Sequence, residues 1–149
     1  MCATYYARTS DHGYETCAEH LAMAGCLAGG FAKGFGYLDD GLLAGLVHDL
    51  GKYSDAFQRR IRNPDHCGPV DHSTAGALLL MRHVCPLAAM AVAGHHAGLP
   101  DLGSYGELEG STFMSRMNRA RRSGDCNPLA LAQAGEAQLD IPQSAFLHL

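Results

Sequence analysis

The sequence contains no tryptophan and few charged residues, and these shortages limit the classes of protein to which it can belong. Only 17% of its 149 residues are charged and the formal net charge is −4, so the chain as a whole is not a polycation that coats nucleic acid. No apolar run approaches the length of a membrane span, and the N-terminus lacks the basic start and apolar segment of a signal peptide. We therefore expect a cytoplasmic protein without membrane contact.

The cysteines also lack an informative arrangement. The six show no CxxC pair and no regular spacing, and in a reducing compartment such residues are usually reduced packing residues. Cys67, which lies close to His66 and His72, is the one cysteine that could neighbour a metal site.

Strand signals are almost absent, because no run of alternating β-branched residues occurs. Apolar residues recur instead at helical spacing, and a hydrophobic fraction of 47% is enough for one sizeable core in a chain of this length. We predict a single all-α domain over residues 1–149, a compact helical bundle.

Capping residues and prolines place the predicted helix boundaries. Asp39 or Asp40 caps the second helix and Gly51 ends it, Ser54 caps the third, Asp71 caps the fourth, and Pro86 opens the fifth. The predicted helices are 16–33, 42–48, 55–62, 72–84, 86–96, 112–122 and 128–139. The segment 98–111 is rich in glycine and has no sustained period, so it is predicted as a long mobile loop, which often carries function.

Positive charge is concentrated in two short stretches. Seven of the eleven lysines and arginines lie there, and they are Arg59, Arg60, Arg62, Arg116, Arg119, Arg121 and Arg122. The second stretch indicates a local nucleic-acid-binding patch formed by Arg116, Arg119 and Arg122. The alternative is that both stretches are solvated helix faces.

A histidine and an aspartate stand side by side in LVHDLGK, at the end of an apolar helix. A neutral imidazole offers one lone pair to a metal, whereas a carboxylate has two oxygens and can bridge two metals. His48 and Asp49 could therefore anchor a two-metal centre. The dipeptide alone is common and an ordinary hydrogen bond would explain it, but the longer HDxGK pattern is more specific.

Further histidines follow in a similar context. His95 and His96 form a doublet between Gly94 and Gly98, where a helix gives way to the glycine-rich loop. His20 lies midway along the first predicted helix and His72 at the start of the fourth. Each is individually more typical of a core or cap residue, so the set is of interest through its order along the chain.

Five ordered segments, EHLAMAG, LVHDLGK, FQRRIR, DHSTAG and AGHHAGLPD, resemble the HD nuclease domain of the type I CRISPR interference nuclease-helicase. The resemblance runs from about His20 to Asp101, and the generic HD phosphohydrolases share only part of it. It implies a helical, metal-dependent endonuclease that hydrolyses phosphodiester bonds of single-stranded DNA in antiviral defence. The implied partners are that DNA, the CRISPR surveillance complex, and a helicase domain in cis or in trans. Tyr53, Phe57 and Tyr105 are aromatic residues that could stack bases, although the spacing of Phe57 to Ile61 favours a core position for Phe57.

The resemblance also implies two metal positions. The first position would consist of His20, His48 and Asp49, and the second of Asp49, His72, His95 and His96. Lys52 would help to hold the scissile phosphate or a metal-bound water, unless it is a solvated lysine favoured by the helix dipole. The imidazole-rich ligand set favours manganese, iron, cobalt or nickel over magnesium, which prefers oxygen ligands.

One feature of the family pattern has no match in the chain. The family supplies a further aspartate to the first position from a late helix, whereas here the sequence ends at SAFLHL, and Asp125 and Asp140 do not fit the pattern. We therefore expect a domain that lacks its C-terminal end. Two other functions stay open: a metal-binding module without turnover, and an HD phosphohydrolase acting on nucleotides, which an enclosed pocket would favour.

Overall fold

A computed structural model describes residues 4–11, 13–82, 85–124 and 127–136. The described part is mostly helical, as predicted, and it contains seven α-helices and two short 3-10 turns, Leu50–Tyr53 and Pro64–His66. The helices are α1 (Cys17–Lys33), α2 (Leu38–Val47), α3 (Asp55–Arg62), α4 (Thr74–Arg82), α5 (Pro86–Gly94), α6 (Phe113–Ser123) and α7 (Pro128–Glu136). The predicted ends of the fourth and seventh helices, together with Asp125, Asp140 and the segment SAFLHL, lie outside the described residues.

A β-hairpin precedes the helices, so the all-α prediction was wrong at the start of the chain. Strand β1 (Tyr6–Ser10) pairs antiparallel with β2 (Gly13–Thr16). The Tyr6 and Tyr14 rings pack across the strands with centroids 4.7 Å apart, and Gly13 supplies the positive φ of 118° that the turn requires. Tyrosines and threonines on both sides of an Asp-x-Gly turn were the missed signal.

Strand β2 runs directly into α1 through a capping box. The Thr16 hydroxyl accepts a hydrogen bond from the Glu19 backbone N–H (3.2 Å), and the Glu19 carboxylate accepts one from the Thr16 N–H (3.2 Å). Because no loop separates the two elements, Glu15 in β2 lies within reach of His20 in the second turn of α1. The predicted start of this helix is confirmed to within one residue.

The start of α2 differs from the prediction. Its N-cap is Tyr37, so Asp39 and Asp40 lie in the first turn and do not cap the helix. There their charges still interact favourably with the positive end of the helix dipole. The helix ends at Val47, with His48 as the C-cap residue and Asp49 immediately beyond it.

The other helix boundaries agree more closely with the sequence. Ser54 caps α3, whose bounds are those predicted, and Pro86 occupies the first turn of α5. Helix α4 begins at Thr74, two residues later than expected, because Asp71 accepts hydrogen bonds from the backbone N–H groups of Ser73 and Thr74 (both 3.1 Å). His72 therefore lies in the extended segment before α4, where its side chain can turn toward Asp49.

The core lies where α1, α2, α4, α5 and α6 meet. Its most deeply buried large side chains include Leu21, Leu80, Phe113 and Met117. Among the described residues, no helix is both long enough and apolar enough to cross a bilayer.

Close contact between Gly51 and His72 joins the turn after Asp49 to the segment before α4. The Gly51 N–H donates to the His72 carbonyl (3.0 Å), and a Cβ at Gly51 would lie 2.5 Å from both the Cα and the carbonyl oxygen of His72. Only glycine fits there without movement of backbone. The contact fixes the distance between Asp49 and His72.

We expect Gly51→Ala to displace His72 and to lower the free energy of unfolding by about 1–3 kcal/mol, the usual cost of overpacking. Urea denaturation together with a divalent-metal titration would measure both effects. Gly68→Ala is the matched control, since a Cβ at Gly68 would meet no described heavy atom within 4 Å. Equal stability and equal metal affinity in the two variants would show that the close approach has no functional consequence.

Candidate metal centre

Asp49 is the centre of the site, and only 2% of it is exposed. Its Oδ2 atom faces one set of cationic or cation-binding groups: His20 Nε2 lies 2.9 Å away, His48 Nε2 3.1 Å and Lys52 Nζ 2.7 Å. We call His20 and His48 the first histidine group. His20 lies in α1 and His48 at the end of α2, so residues from both helices contact the same carboxylate oxygen.

The other oxygen of Asp49 faces a second histidine group, formed by His72, His95 and His96. Oδ1 lies 3.3 Å from His95 Nε2 and 3.4 Å from His72 Nε2. His72 Nε2 is in turn 2.7 Å from His96 Nε2. The two oxygens of one carboxylate therefore point to two separate histidine groups.

Backbone carbonyls hold the imidazole rings from behind. A carbonyl can only accept, so Nδ1 of each ring donates, and in the neutral ring Nε2 keeps its lone pair. These bonds join His48 to Gly45 (2.8 Å), His72 to Val70 (3.0 Å) and His95 to Val92 (2.7 Å). Three imidazoles thus present a ligating nitrogen toward Asp49.

The close packing of Asp49 and the histidines changes the pKa values of several of these groups. Burial would raise the pKa of Asp49, but the close approach of His20, His48 and His95 to its oxygens holds that pKa well below its usual value, so the carboxylate stays ionised. The nearby carboxylate of Asp49 raises the pKa of His95. Burial, followed by the neighbouring His95 and His72, lowers the pKa of His96. The ionised carboxylate is therefore surrounded by imidazole nitrogens. Each short contact between one of these nitrogens and a carboxylate oxygen needs a shared proton or a metal ion between the two atoms.

Lys52 is buried and oriented toward the site. Only 8% of it is exposed, so the alternative of a solvated helix-terminal lysine was wrong. Its ammonium lies 5.5 Å from the centroid of the Phe57 ring, and its carbonyl accepts a hydrogen bond from the Gln58 amide (2.8 Å). Lys52 is therefore held at the edge of the centre, next to Oδ2 of Asp49.

Glu15 is a site residue that the sequence analysis missed. Its Oε2 lies 3.5 Å from His20 Nδ1, on the side of the ring opposite Asp49, and the same oxygen pairs with Arg8 across the hairpin. A carboxylate behind a ligating imidazole fixes the orientation of the ring. Only a prediction of the hairpin could have identified this contact, because the hairpin places Glu15 beside His20.

We expect Glu15→Gln to weaken divalent-metal binding by the first histidine group by roughly 10–100-fold, the usual effect of removing such an outer carboxylate. A Mn²⁺ titration followed by calorimetry would measure it. Glu19→Gln is the control, because it removes the same charge nearby while glutamine still serves in a capping box. If both variants bind Mn²⁺ as the parent chain does, Glu15 does not support His20.

Ligand-atom geometry defines the extent of the centre. Among the described residues, two groups of donor atoms lie within 4.8 Å of one another and could hold an ion: His20, His48 and Asp49, and Asp49, His72, His95 and His96. Cys67 belongs to neither group. Burial raises the pKa of Cys17 to about 12, which agrees with the expected packing role.

The arginines of α6 differ in what they contact. Arg116 donates to protein acceptors at the start of α4 and near the end of α5, and its predicted contact with nucleic acid stays a prediction. Arg119 donates to the carbonyls of Leu108 (2.9 Å) and Gly110 (2.8 Å). Arg122 is exposed and stays a predicted contact for nucleic acid.

A groove of about 420 Å³ begins one residue beyond His96, lined by Ala97 to Asp101, Ser111, Thr112 and Arg116. Most of these residues are exposed, so the groove is open to solvent. Of the three aromatic residues suggested for base stacking, Tyr53 (2% exposed) and Phe57 (9%) are buried, and Tyr105 (93%) is accessible.

No protein-family model matches the chain, and no curated protein shows significant sequence similarity to it. The function must therefore be argued from the arrangement of the centre and from the motifs that compose it.

Proposed function

We propose that this protein is a metal-dependent nuclease that hydrolyses phosphodiester bonds in single-stranded DNA through an HD-type centre. The observation that carries the proposal is the arrangement of Asp49, whose two oxygens face two different histidine groups. A carboxylate has two oxygens and can bridge two metal ions, and a pair of ions can stabilise both the attacking and the leaving oxygen of phosphodiester hydrolysis. The resemblance of the five ordered segments to the CRISPR nuclease domain supports the same conclusion.

The donor set suits divalent transition metals. Five imidazoles and one carboxylate supply the ligands, and Oδ1 of Asp49 is a buried oxygen without a hydrogen-bond donor among the described residues. Manganese, iron, cobalt or nickel fits this set better than magnesium. When bound by these residues, two such ions would supply an activated water and neutralise charge on the phosphate and the leaving oxygen.

The residues of the chain then have distinct tasks. Asp49 carries the negative charge that both positions share, and the backbone carbonyls behind His48, His72 and His95 keep the ligating nitrogens aimed at it. Lys52 is the cationic donor at the edge of the centre, where it would bind a phosphate oxygen. These groups are already oriented before the substrate binds. They would therefore supply electrostatic stabilisation, which is usually the largest catalytic effect.

The surroundings favour a long substrate over a small nucleotide. The groove beside His96 is open at the surface, and the exposed rings and side chains along its loop include Tyr105 and Leu99. Stacking on an aromatic ring such as that of Tyr105 recognises unpaired bases without sequence preference. By the same resemblance, we propose that a CRISPR surveillance complex, acting with a helicase, makes the single-stranded DNA available to this protein.

The test combines metal analysis with cleavage of a single-stranded oligonucleotide in manganese, iron, cobalt, nickel and magnesium. We expect up to two ions per chain and cleavage of the single strand in preference to duplex. Hydrolysis of mononucleotides without DNA cleavage would favour the phosphohydrolase alternative. Stoichiometric metal binding without turnover in any of the five metals would instead identify a metal-binding module.

We expect Arg122→Ala to flatten the salt dependence of single-strand binding, because each lost phosphate contact reduces the slope of log K against log salt by roughly 0.7. Fluorescence anisotropy with a labelled oligonucleotide at several salt concentrations measures the slope. Arg82→Ala, at another exposed arginine, is the control. An unchanged slope in Arg122→Ala would identify this part of α6 as a solvated face.

A further inference from the structure

A single guanidinium joins the two backbone segments that carry the second histidine group. Arg116, in α6, donates through Nη1 to the carbonyl of Ala93 near the end of α5 (2.8 Å). Through Nη2 it donates to the hydroxyls of Thr74 (2.8 Å) and Ser73 (3.0 Å) and to the carboxylate of Asp71 (3.3 Å). These acceptors flank the metal ligands, since Asp71 precedes His72 and Ala93 lies two residues before His95.

The acceptors form a rigid network of their own. Asp71 Oδ2 accepts from the Thr74 hydroxyl (2.5 Å), while Oδ1 accepts from the backbone N–H groups of Ser73 and Thr74. Arg116 therefore binds a segment that is already ordered at the start of α4. Movement of α5 relative to this segment would break its bond to Ala93.

We propose that Arg116 is a positioning residue that sets the separation of His72 and His95, and with it the metal affinity of the second position. This inference rests on the proposed function only in requiring that the second position binds a metal. The position of the same residue in a basic stretch also predicted a contact with nucleic acid.

The geometry requires arginine in particular. The guanidinium is planar and presents separate N–H groups to acceptors on opposite sides, whereas a lysine ammonium is a single point that cannot span them. The same helix also holds the loop that follows His96, because the backbone N–H groups of Phe113 and Met114 donate to the carbonyls of Asp101 (2.8 Å) and Leu102 (3.0 Å). Helix α6 thus supports the second histidine group from two directions.

The experiment measures Mn²⁺ affinity by calorimetry in Arg116→Met and Arg116→Lys. The methionine variant keeps an apolar stem, and the lysine variant also keeps the charge should the first fail to fold. A His20→Ala background isolates binding at the second position. We expect a loss of affinity of roughly 10–100-fold at that position in Arg116→Met, and a smaller loss in Arg116→Lys. Arg119→Met is the control, because Arg119 contacts only the loop carbonyls of Leu108 and Gly110 among the described residues.

Imidazole resonances in the metal-free protein provide a readout that general destabilisation would not produce. We expect Arg116→Lys to shift the signals of His72, His95 and His96 and to leave that of His20 unchanged. Affinity and resonances equal to those of the parent chain would overturn the inference. A parent chain that binds no Mn²⁺ would overturn the proposed function instead, so the two failures are distinguishable.

Discussion

Replacement of Asp49 by alanine is expected to abolish DNA cleavage and to reduce the bound metal, while the helical content stays nearly intact. The carboxylate is the only group assigned to both metal positions, and its two oxygens face different histidine groups. Removing one preorganised electrostatic contact commonly costs on the order of 10²–10³-fold in rate. The loss here should be larger, because two positions lose their shared ligand together.

Asp49→Asn separates the loss of charge from the loss of volume, since asparagine keeps the size of the buried side chain but has no negative charge. Removal of that charge also leaves Lys52 buried without its partner at 2.7 Å, so both variants need a check of folding by circular dichroism. Asp65→Asn, at an exposed position, controls for the change of net charge. If Asp49→Asn retains two metal ions and cleaves at the parent rate, the carboxylate does not bridge the two positions.

Unequal occupancy of the two positions is the second large effect that we expect. Among the described residues the second position has four ligands, whereas the first has three, His20, His48 and Asp49. An additional anionic ligand would neutralise charge and fix the geometry of an ion at the first position. We therefore expect the second position to fill at low metal concentration and the first to fill weakly. Cleavage should be poor at low metal and should recover partly at high metal, since the proposed mechanism requires both ions.

Anomalous diffraction from crystals of this chain grown with manganese would measure the two occupancies directly. A strong peak among His72, His95 and His96 with a weak peak beside His20 is the expected result. Two peaks of equal height, with no further carboxylate beside the first, would contradict the argument. A titration of cleavage against manganese concentration gives an independent check, because recovery at high metal distinguishes weak binding from an inactive centre.

Most of the helical architecture was predictable because its causes are local. Apolar spacing and capping by Ser54 and Thr16 act over a few residues, so α1 and α3 were located almost to the residue. The hairpin was missed because each strand is short and its stability comes from pairing, which periodicity within one strand does not reveal. The N-cap of α2 was misplaced because Asp39 and Asp40 are equally suited to the first turn.

The order of the motifs around His20, His48, His72 and the doublet at His95 already indicated which imidazoles and which carboxylate were available. How they meet could not be read from those motifs, because the contacts join residues far apart in the chain. Asp49 and His20 are separated by 29 residues, and Arg116 and Asp71 by 45. Such contacts depend on the packing of whole helices, which also buries Lys52 and gives Arg116 its hydrogen-bond partners in α4 and α5.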